Sequence, residues 1–169
     1  MIDYLYLFLA IICFSLLLWW LSGFIFGAPY QPSSDSAVKK MMKLANVKKG
    51  EKVADLGSGN GKIVIEFAKK GADATGFEIN PVLVWLSRWK IKKLGLQKNA
   101  KIIQKSFWDE DLGKFDIVSS FQIWHVMPYL EKKLKKELKK KNARVVSNTW
   151  RFRDMKPSKT DGHVYLYKF

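Results

Sequence analysis

Apolar and polar residues fall into two regimes along the chain. Residues 4–26 contain no charged side chain and are dominated by Leu, Ile, Phe and Trp. Beyond them, short apolar runs alternate with amphipathic ones. Val38, Met41, Met42 and Ala45 recur at helical spacing, and Asp35 or Ser36 can cap the helix they define. A first strand is predicted over 52–56, followed by a helix over about 61–69. A second strand covers 72–78. Pro81 then opens a helix carrying Val84, Trp85, Trp89 and Leu94, and Gly95 stops it. Residues 101–106 and 115–121 predict a third and a fourth strand, 128–141 a helix, and 144–148 a fifth strand. Residues 163–168 alternate apolar and polar positions, as a late antiparallel strand does. Strands alternating with helices indicate an α/β domain, a doubly wound and mostly parallel sheet covered on both faces. Ligands in such sheets sit beyond the carboxyl ends of the strands, where Asp55, Glu78, Ser106 and Phe121 all fall.

The uncharged stretch changes the organisation. Its 23 residues would give about 34 Å of helix, enough to cross a ~30 Å hydrocarbon core. Tyr4, Tyr6, Trp19 and Trp20 suit interfacial anchoring. A cleaved signal peptide fits less well, because Asp3 stands where Lys or Arg belongs and Pro29 follows Ala28. The expectation is one transmembrane helix. Lys39, Lys40, Lys43, Lys48 and Lys49 follow the span, which places the remainder in the cytoplasm. The expected organisation is an anchor over 1–27, a linker and helix over 28–50, and a catalytic domain over 51–169. Cys13 is the single cysteine, so an intramolecular disulfide and a cysteine-zinc site are excluded and no metal is expected.

The net charge of +15 implies attraction to something acidic: lipid headgroups, nucleic acid or an acidic protein face. Leu130, Leu134 and Leu138 define one face of a lysine-rich helix, read as an outer helix whose basic side could also lie against anionic lipid.

The segment Asp55-Leu56-Gly57-Ser58-Gly59-Asn60-Gly61 carries the chemistry. A Gly-rich turn between a strand and a helix lets a ligand approach the backbone at the helix's positive end. The dinucleotide spacing G-x-G-x-x-G is not met, because its third glycine position holds Lys62. Glu78 ends the second strand 23 residues after Asp55, where a carboxylate can accept both hydroxyls of a ribose.

This Asp-x-Gly-x-Gly-x-Gly loop resembles that of class I S-adenosylmethionine-dependent methyltransferases. Pro29-Tyr30-Gln31-Pro32-Ser33, the loop itself, Gly76-Phe77-Glu78-Ile79-Asn80-Pro81 and Ser106-Phe107-Trp108 follow in order. Leu134 to Leu138 and Arg144-Val145-Val146-Ser147-Asn148-Thr149-Trp150 complete the series. Together they resemble the small membrane-tethered protein-lysine N-methyltransferases, relatives of the mitochondrial enzymes that modify ATP synthase and the adenine nucleotide translocase. Two positions depart from that pattern. Ser106 stands where an Asp is expected, and Asn60 where the family often has Asp.

The resemblance implies a seven-stranded Rossmann-like sheet and S-adenosyl-L-methionine as cofactor, held by Asp55, Gly57, Ser58, Gly59, Gly61, Glu78, Ile79, Asn80, Ser106 and Phe107. The implied partner is a lysine side chain of a membrane or membrane-proximal protein. A lysine amine must be neutral to attack a methyl group, which costs roughly 4–5 kcal/mol at pH 7. Aromatic walls lower that cost by desolvating the ammonium. Tyr30, Trp108, Phe121 and Trp124 are the wall candidates, and Asp109 and Glu110 the polar mouth. His125 is a candidate proton acceptor, more often simply a hydrogen-bonded residue, and His163 has no assigned role. Rival readings are an RNA methyltransferase, a lipid or small-molecule methyltransferase, and a noncatalytic cofactor-binding protein. Against RNA, the fourth strand ends Ser119-Ser120-Phe121-Gln122 rather than with the Asn/Asp-Pro-Pro-Tyr/Phe segment of base-amino methylation, so nucleic acid is not the expected partner.

Overall fold

The computed structural model describes residues 2–26, 33–138 and 142–169, with the side chains of its first helix described over 4–17. The chain divides between residues 31 and 32 into two compact units. The first holds helix α1 (Ile2–Phe26), whose described side chains are exposed. The expected single-pass membrane helix, and the cytoplasmic placement derived from it, are corrected here. Among the described residues no helix is long and apolar enough to cross a membrane.

The second unit is a seven-stranded sheet with strand order β3-β2-β1-β4-β5-β7-β6. Its strands are β1 (Lys52–Leu56), β2 (Asp73–Glu78), β3 (Ala100–Gln104), β4 (Ile117–Ser120), β5 (Arg144–Asn148), β6 (Lys159–Asp161) and β7 (Val164–Lys168). The first five run parallel, and β7 pairs antiparallel with both β5 and β6. The helices are α2 (Asp35–Ala45), α3 (Lys62–Lys69), α4 (Pro81–Lys93) and α5 (Met127–Glu137).

Alternation along the strands divides the core in two. Val53, Ala74, Ile117 and Val146 face one way and pack with Val38 and Met41 of α2, Val64 and Phe67 of α3, and Val84 and Ile91 of α4. Ala54, Leu56, Val118 and Val145 face the other way, against Leu130 and Leu134 of α5. The expected leucine face of that helix is therefore buried: Leu130 and Leu134 are fully enclosed and Leu138 nearly so. Of the aromatics expected along α4, Trp85 and Trp89 point outward, with Lys93 placed 5.2 Å above the Trp89 ring.

Local signals set the ends of the elements. Ser34, one residue earlier than expected, caps α2 by accepting from the Ala37 N–H at 3.1 Å. Asn80 caps α4, its Oδ1 accepting from Val82 N at 2.9 Å, and Pro81 takes the first helical position. Strand β3 ends at Gln104 rather than 106, because Ser106 starts a 3-10 turn over Phe107–Asp109 by accepting from Trp108 N at 3.3 Å. Arg144 joins α2 to the sheet. It donates to Ala45 O at 2.7 Å and Asn46 O at 3.0 Å, and pairs with Glu51 at 2.5 Å.

Candidate active site

The site is assembled at the carboxyl ends of four neighbouring strands, β3, β2, β1 and β4. Asp55 lies in β1, and the loop after it turns sharply enough to deliver three N–H groups to the next strand. Gly57 N and Ser58 N both donate to Phe77 O at 2.9 Å, and Gly59 N donates to Glu78 Oε2 at 2.8 Å. Gly61 precedes α3 with φ +77°, and a Cβ there would lie 2.8 Å from the Ser87 Cβ of α4. Only glycine meets both demands, the left-handed backbone and the close approach of two helices. Lys62, at the first position of α3, donates to Ser33 O at 2.8 Å and pairs with Asp35 at 2.6 Å, fastening the start of α2 beside the loop.

Glu78 is buried, and its second oxygen accepts from Asn80 N at 2.8 Å. Each carboxylate oxygen therefore uses one lone pair on backbone and keeps another for a ligand hydroxyl. The Asn80 side-chain oxygen is taken by the cap of α4, so Asn80 contributes to the site through its backbone.

Asp55 is almost fully enclosed. Its Oδ1 accepts from the Ser119 hydroxyl at 2.5 Å, while Oδ2 has no partner. Burial pushes its carboxyl up to about 7; the Ser119 hydrogen bond opposes this, and the charge of Glu78 adds to it. The hydroxyls of Ser58 and Ser120 are also buried without partners. Orphaned buried polar atoms cost free energy unless a ligand satisfies them. Asp55 stands one residue before the end of β1, Ser120 ends the adjacent β4 and Ser58 lies in the loop after β1, which suits a polar ligand bearing hydroxyl and ammonium groups.

The remaining candidates lie around this centre. Ile79 is half-exposed beyond Glu78, and Ser106 and Phe107 are half-buried after β3. Trp108 is exposed and stands 4.6 Å from the Phe107 ring, with its O accepting from Lys133 Nζ at 3.0 Å. Asp109 is exposed and Phe121 half-buried. Trp124 and His125 are exposed, their rings edge to face at 5.5 Å. Glu110 does not form a free polar mouth. It is buried and ion-paired with Lys105 at 3.0 Å and with Lys114, and these lysines hold its carboxyl below the usual range. Tyr30 lies outside the described residues.

Sequence reasoning missed Ser119, Ser120 and Gln122 as parts of the site. Gln122 is buried, donates to Leu56 O at 2.8 Å, and its Nε2 lies 2.8 Å from where a Cβ on Gly57 would sit. The signal was present: two serines end a central strand whose earlier residues are apolar, a glutamine follows two residues on, and buried polar groups there need a purpose.

A doubly wound sheet of this order, with an acidic Gly-rich loop after β1 and an acid ending β2, defines a class I methyltransferase. Residues 55–159 match the family described as the ANTKMT methyltransferase domain, and the chain belongs to that family. It is 36% identical over 134 residues to an ATP synthase lysine N-methyltransferase of Mus musculus, covering 79% of this chain and 53% of that protein. It is 34% identical over 149 residues to the protein-lysine N-methyltransferase of Saccharolobus islandicus (strain REY15A), covering 82% of this chain and 92% of that protein. The chain thus spans about half the length of the mouse relative and nearly all of the archaeal one. Among solved structures, an RNA methyltransferase from Salinibacter ruber in complex with S-adenosyl-L-homocysteine superposes with a TM-score of 0.77 at 28% identity, covering 82% of this chain and 93% of that one.

Proposed function

We propose that this protein transfers methyl groups from S-adenosylmethionine to the side-chain amines of lysines in other proteins. The observation that carries the reading is the pairing of two buried acids around the glycine loop, Asp55 with an unused oxygen and Glu78 with free lone pairs, in a chain related to protein-lysine methyltransferases. When bound, the cofactor supplies an electrophilic methyl group on a sulfonium.

The residues have distinct tasks. Glu78 holds the ribose hydroxyls, and the loop from Gly57 to Gly61 lets the ligand approach the backbone. Asp55, Ser58 and Ser120 satisfy the polar end of the cofactor. Ile79 and Phe107 flank the base. Phe121 and Trp108 form apolar walls that desolvate the incoming ammonium and so favour its neutral, nucleophilic form. The exposed carboxylate of Asp109 draws the cation to the entrance and orients its remaining hydrogens. Ser106 takes no part as an acid; its hydroxyl caps the turn that presents Phe107 and Trp108. In-line alignment of amine and methyl carbon supplies most of the acceleration.

An RNA substrate is the second reading, favoured by the net charge of +15 and by the Salinibacter ruber relative. One experiment separates the two. The full chain is incubated with tritiated S-adenosylmethionine and cell extract, and label is followed into protein, RNA and lipid, with Glu78→Ala as the control. Label in protein bands that disappears in the variant supports the proposal. Label in RNA or lipid refutes it.

A further inference from the structure

Along the carboxyl edge of the sheet, the loop after β5 follows those after β1 and β4. It lies next to the proposed site and has features the transfer chemistry does not use. With residues after β4 it lines a cleft formed by Trp124, Met127, Pro128, Trp150, Arg151 and Arg153. Trp124 and Trp150 are 67% and 41% exposed, a large apolar area to leave in water on two facing loops.

The segment bearing Trp150 is held rather than loose. Thr149 has φ +74°, a conformation that β-branched residues avoid. It is kept there by Thr149 N donating to His163 O at 2.7 Å, and by the Ser147 hydroxyl donating to Trp150 O at 2.7 Å. Phe152 N donates to the Tyr167 hydroxyl at 3.1 Å, and Arg153 N donates to the buried carboxylate of Glu131 at 2.9 Å. Strained backbone fixed by this many bonds persists where a side chain must be presented in one position. What is presented is Trp150 with Arg151 and Arg153 following it along the same cleft. The Arg151 guanidinium lies 4.8 Å over the Tyr165 ring, and among the described residues neither guanidinium is paired with a carboxylate. The buried acid packed against this loop, Glu131, is consumed by the backbone of Arg153 and Asp154 and by Lys135.

From this arrangement we infer that the Trp124–Trp150 cleft is a substrate-docking site for an acidic peptide segment flanking the target lysine, its apolar residues lying between the two tryptophans and its carboxylates meeting Arg151 and Arg153. The inference rests on the protein-lysine reading above and extends it to substrate choice. Planar guanidinium groups match carboxylates in two-point geometry, and a fixed cleft loses little freedom on binding.

The test uses full-length protein and three 15-residue peptides with one central lysine, flanked by Asp and Glu, by Gln, or by Arg. Methyl transfer is measured, and peptide affinity is read separately by tryptophan fluorescence with S-adenosylhomocysteine present. The acidic peptide is expected to exceed the Gln peptide at least about fivefold in kcat/KM, mainly through KM, and the Arg peptide to be poorest. In the Arg151→Gln/Arg153→Gln variant, whose exposed positions spare the fold, the preference should fall within about twofold with S-adenosylhomocysteine affinity unchanged. Trp124→Ala should raise KM for all three peptides. Transfer without charge preference, or a preference that survives the double variant, overturns the inference while leaving the lysine reading standing. Arginine-dependent binding of the acidic peptide without transfer keeps the docking site and overturns the lysine reading. Displacement of the peptide by poly(U) RNA, with tighter arginine-dependent RNA binding, overturns the inference in favour of a nucleic-acid surface.

Discussion

Asp55→Asn separates the electrostatic cost of the site from its packing. The Asp55 carboxyl ionises near pH 3.8 when free, whereas in the fold it holds its proton until about pH 7. Between those values the folded state binds more protons than the unfolded one, so stability falls as pH rises. The full shift corresponds to a loss on the order of 4 kcal/mol, complete above pH 7. Most of it, on the order of 2–3 kcal/mol, is lost between pH 5 and pH 8. Asparagine keeps the shape and the acceptor for the Ser119 hydroxyl but does not titrate. It also places an amide where Oδ2 has no partner, a pH-independent cost of about 1–3 kcal/mol. Urea unfolding of both proteins, without cofactor and followed by circular dichroism at pH 5 and pH 8, cancels that constant term. The difference in unfolding free energy, variant minus wild type, is expected to rise by on the order of 2–3 kcal/mol from the lower pH to the higher. A difference that stays level within about 0.5 kcal/mol, or one that falls, would refute the assignment of a buried, proton-holding Asp55.

Other outcomes follow from the same geometry. Gly61→Ala forces a side chain into left-handed backbone against Ser87, and urea melts should show a loss of about 2 kcal/mol or more together with weakened cofactor binding by calorimetry. Glu78→Ala leaves Gly59 N and Asn80 N without their acceptor and removes the proposed ribose contact; calorimetry should show S-adenosylmethionine affinity reduced at least about tenfold. Arg144→Ala breaks the tie between α2, Glu51 and the sheet, and should cost about 2–3 kcal/mol in chemical unfolding without changing cofactor affinity. Leu134→Ala, in the fully buried face of α5, should cost about 2–5 kcal/mol by the same measurement.

Much of this was legible from the chain because the signals are local. Alternation of short apolar runs with amphipathic ones gave the strand and helix order, and the Asp55–Gly61 loop and Glu78, singled out in the sequence, meet at the carboxyl ends of β1 and β2. What escaped depends on three-dimensional neighbours. The short β6 carries the sequence Lys-Thr-Asp, with no apolar pattern, and exists because it pairs with β7. Glu110 resembles any acid beside an aromatic pair until Lys105 and Lys114 close on it. Strand β3 stops two residues short of the expected Ser106, whose hydroxyl bonds its own turn instead of joining the ladder. The left-handed Thr149 carries no sequence signature, since its conformation is imposed by His163 and Ser147. At the amino terminus, an uncharged run was read as a membrane span from length and composition, an expectation the described residues do not sustain.

The most direct test of the central claim is the chemical identity of the product. Protein labelled by the full chain with tritiated S-adenosylmethionine is hydrolysed to amino acids in strong acid, and the label is chromatographed beside mono-, di- and trimethyllysine. The account predicts radioactivity co-eluting with one or more of the methyllysines, and none from the Glu78→Ala reaction. Label eluting with methylarginine, or released as methanol by mild base as from a carboxyl ester, would contradict it.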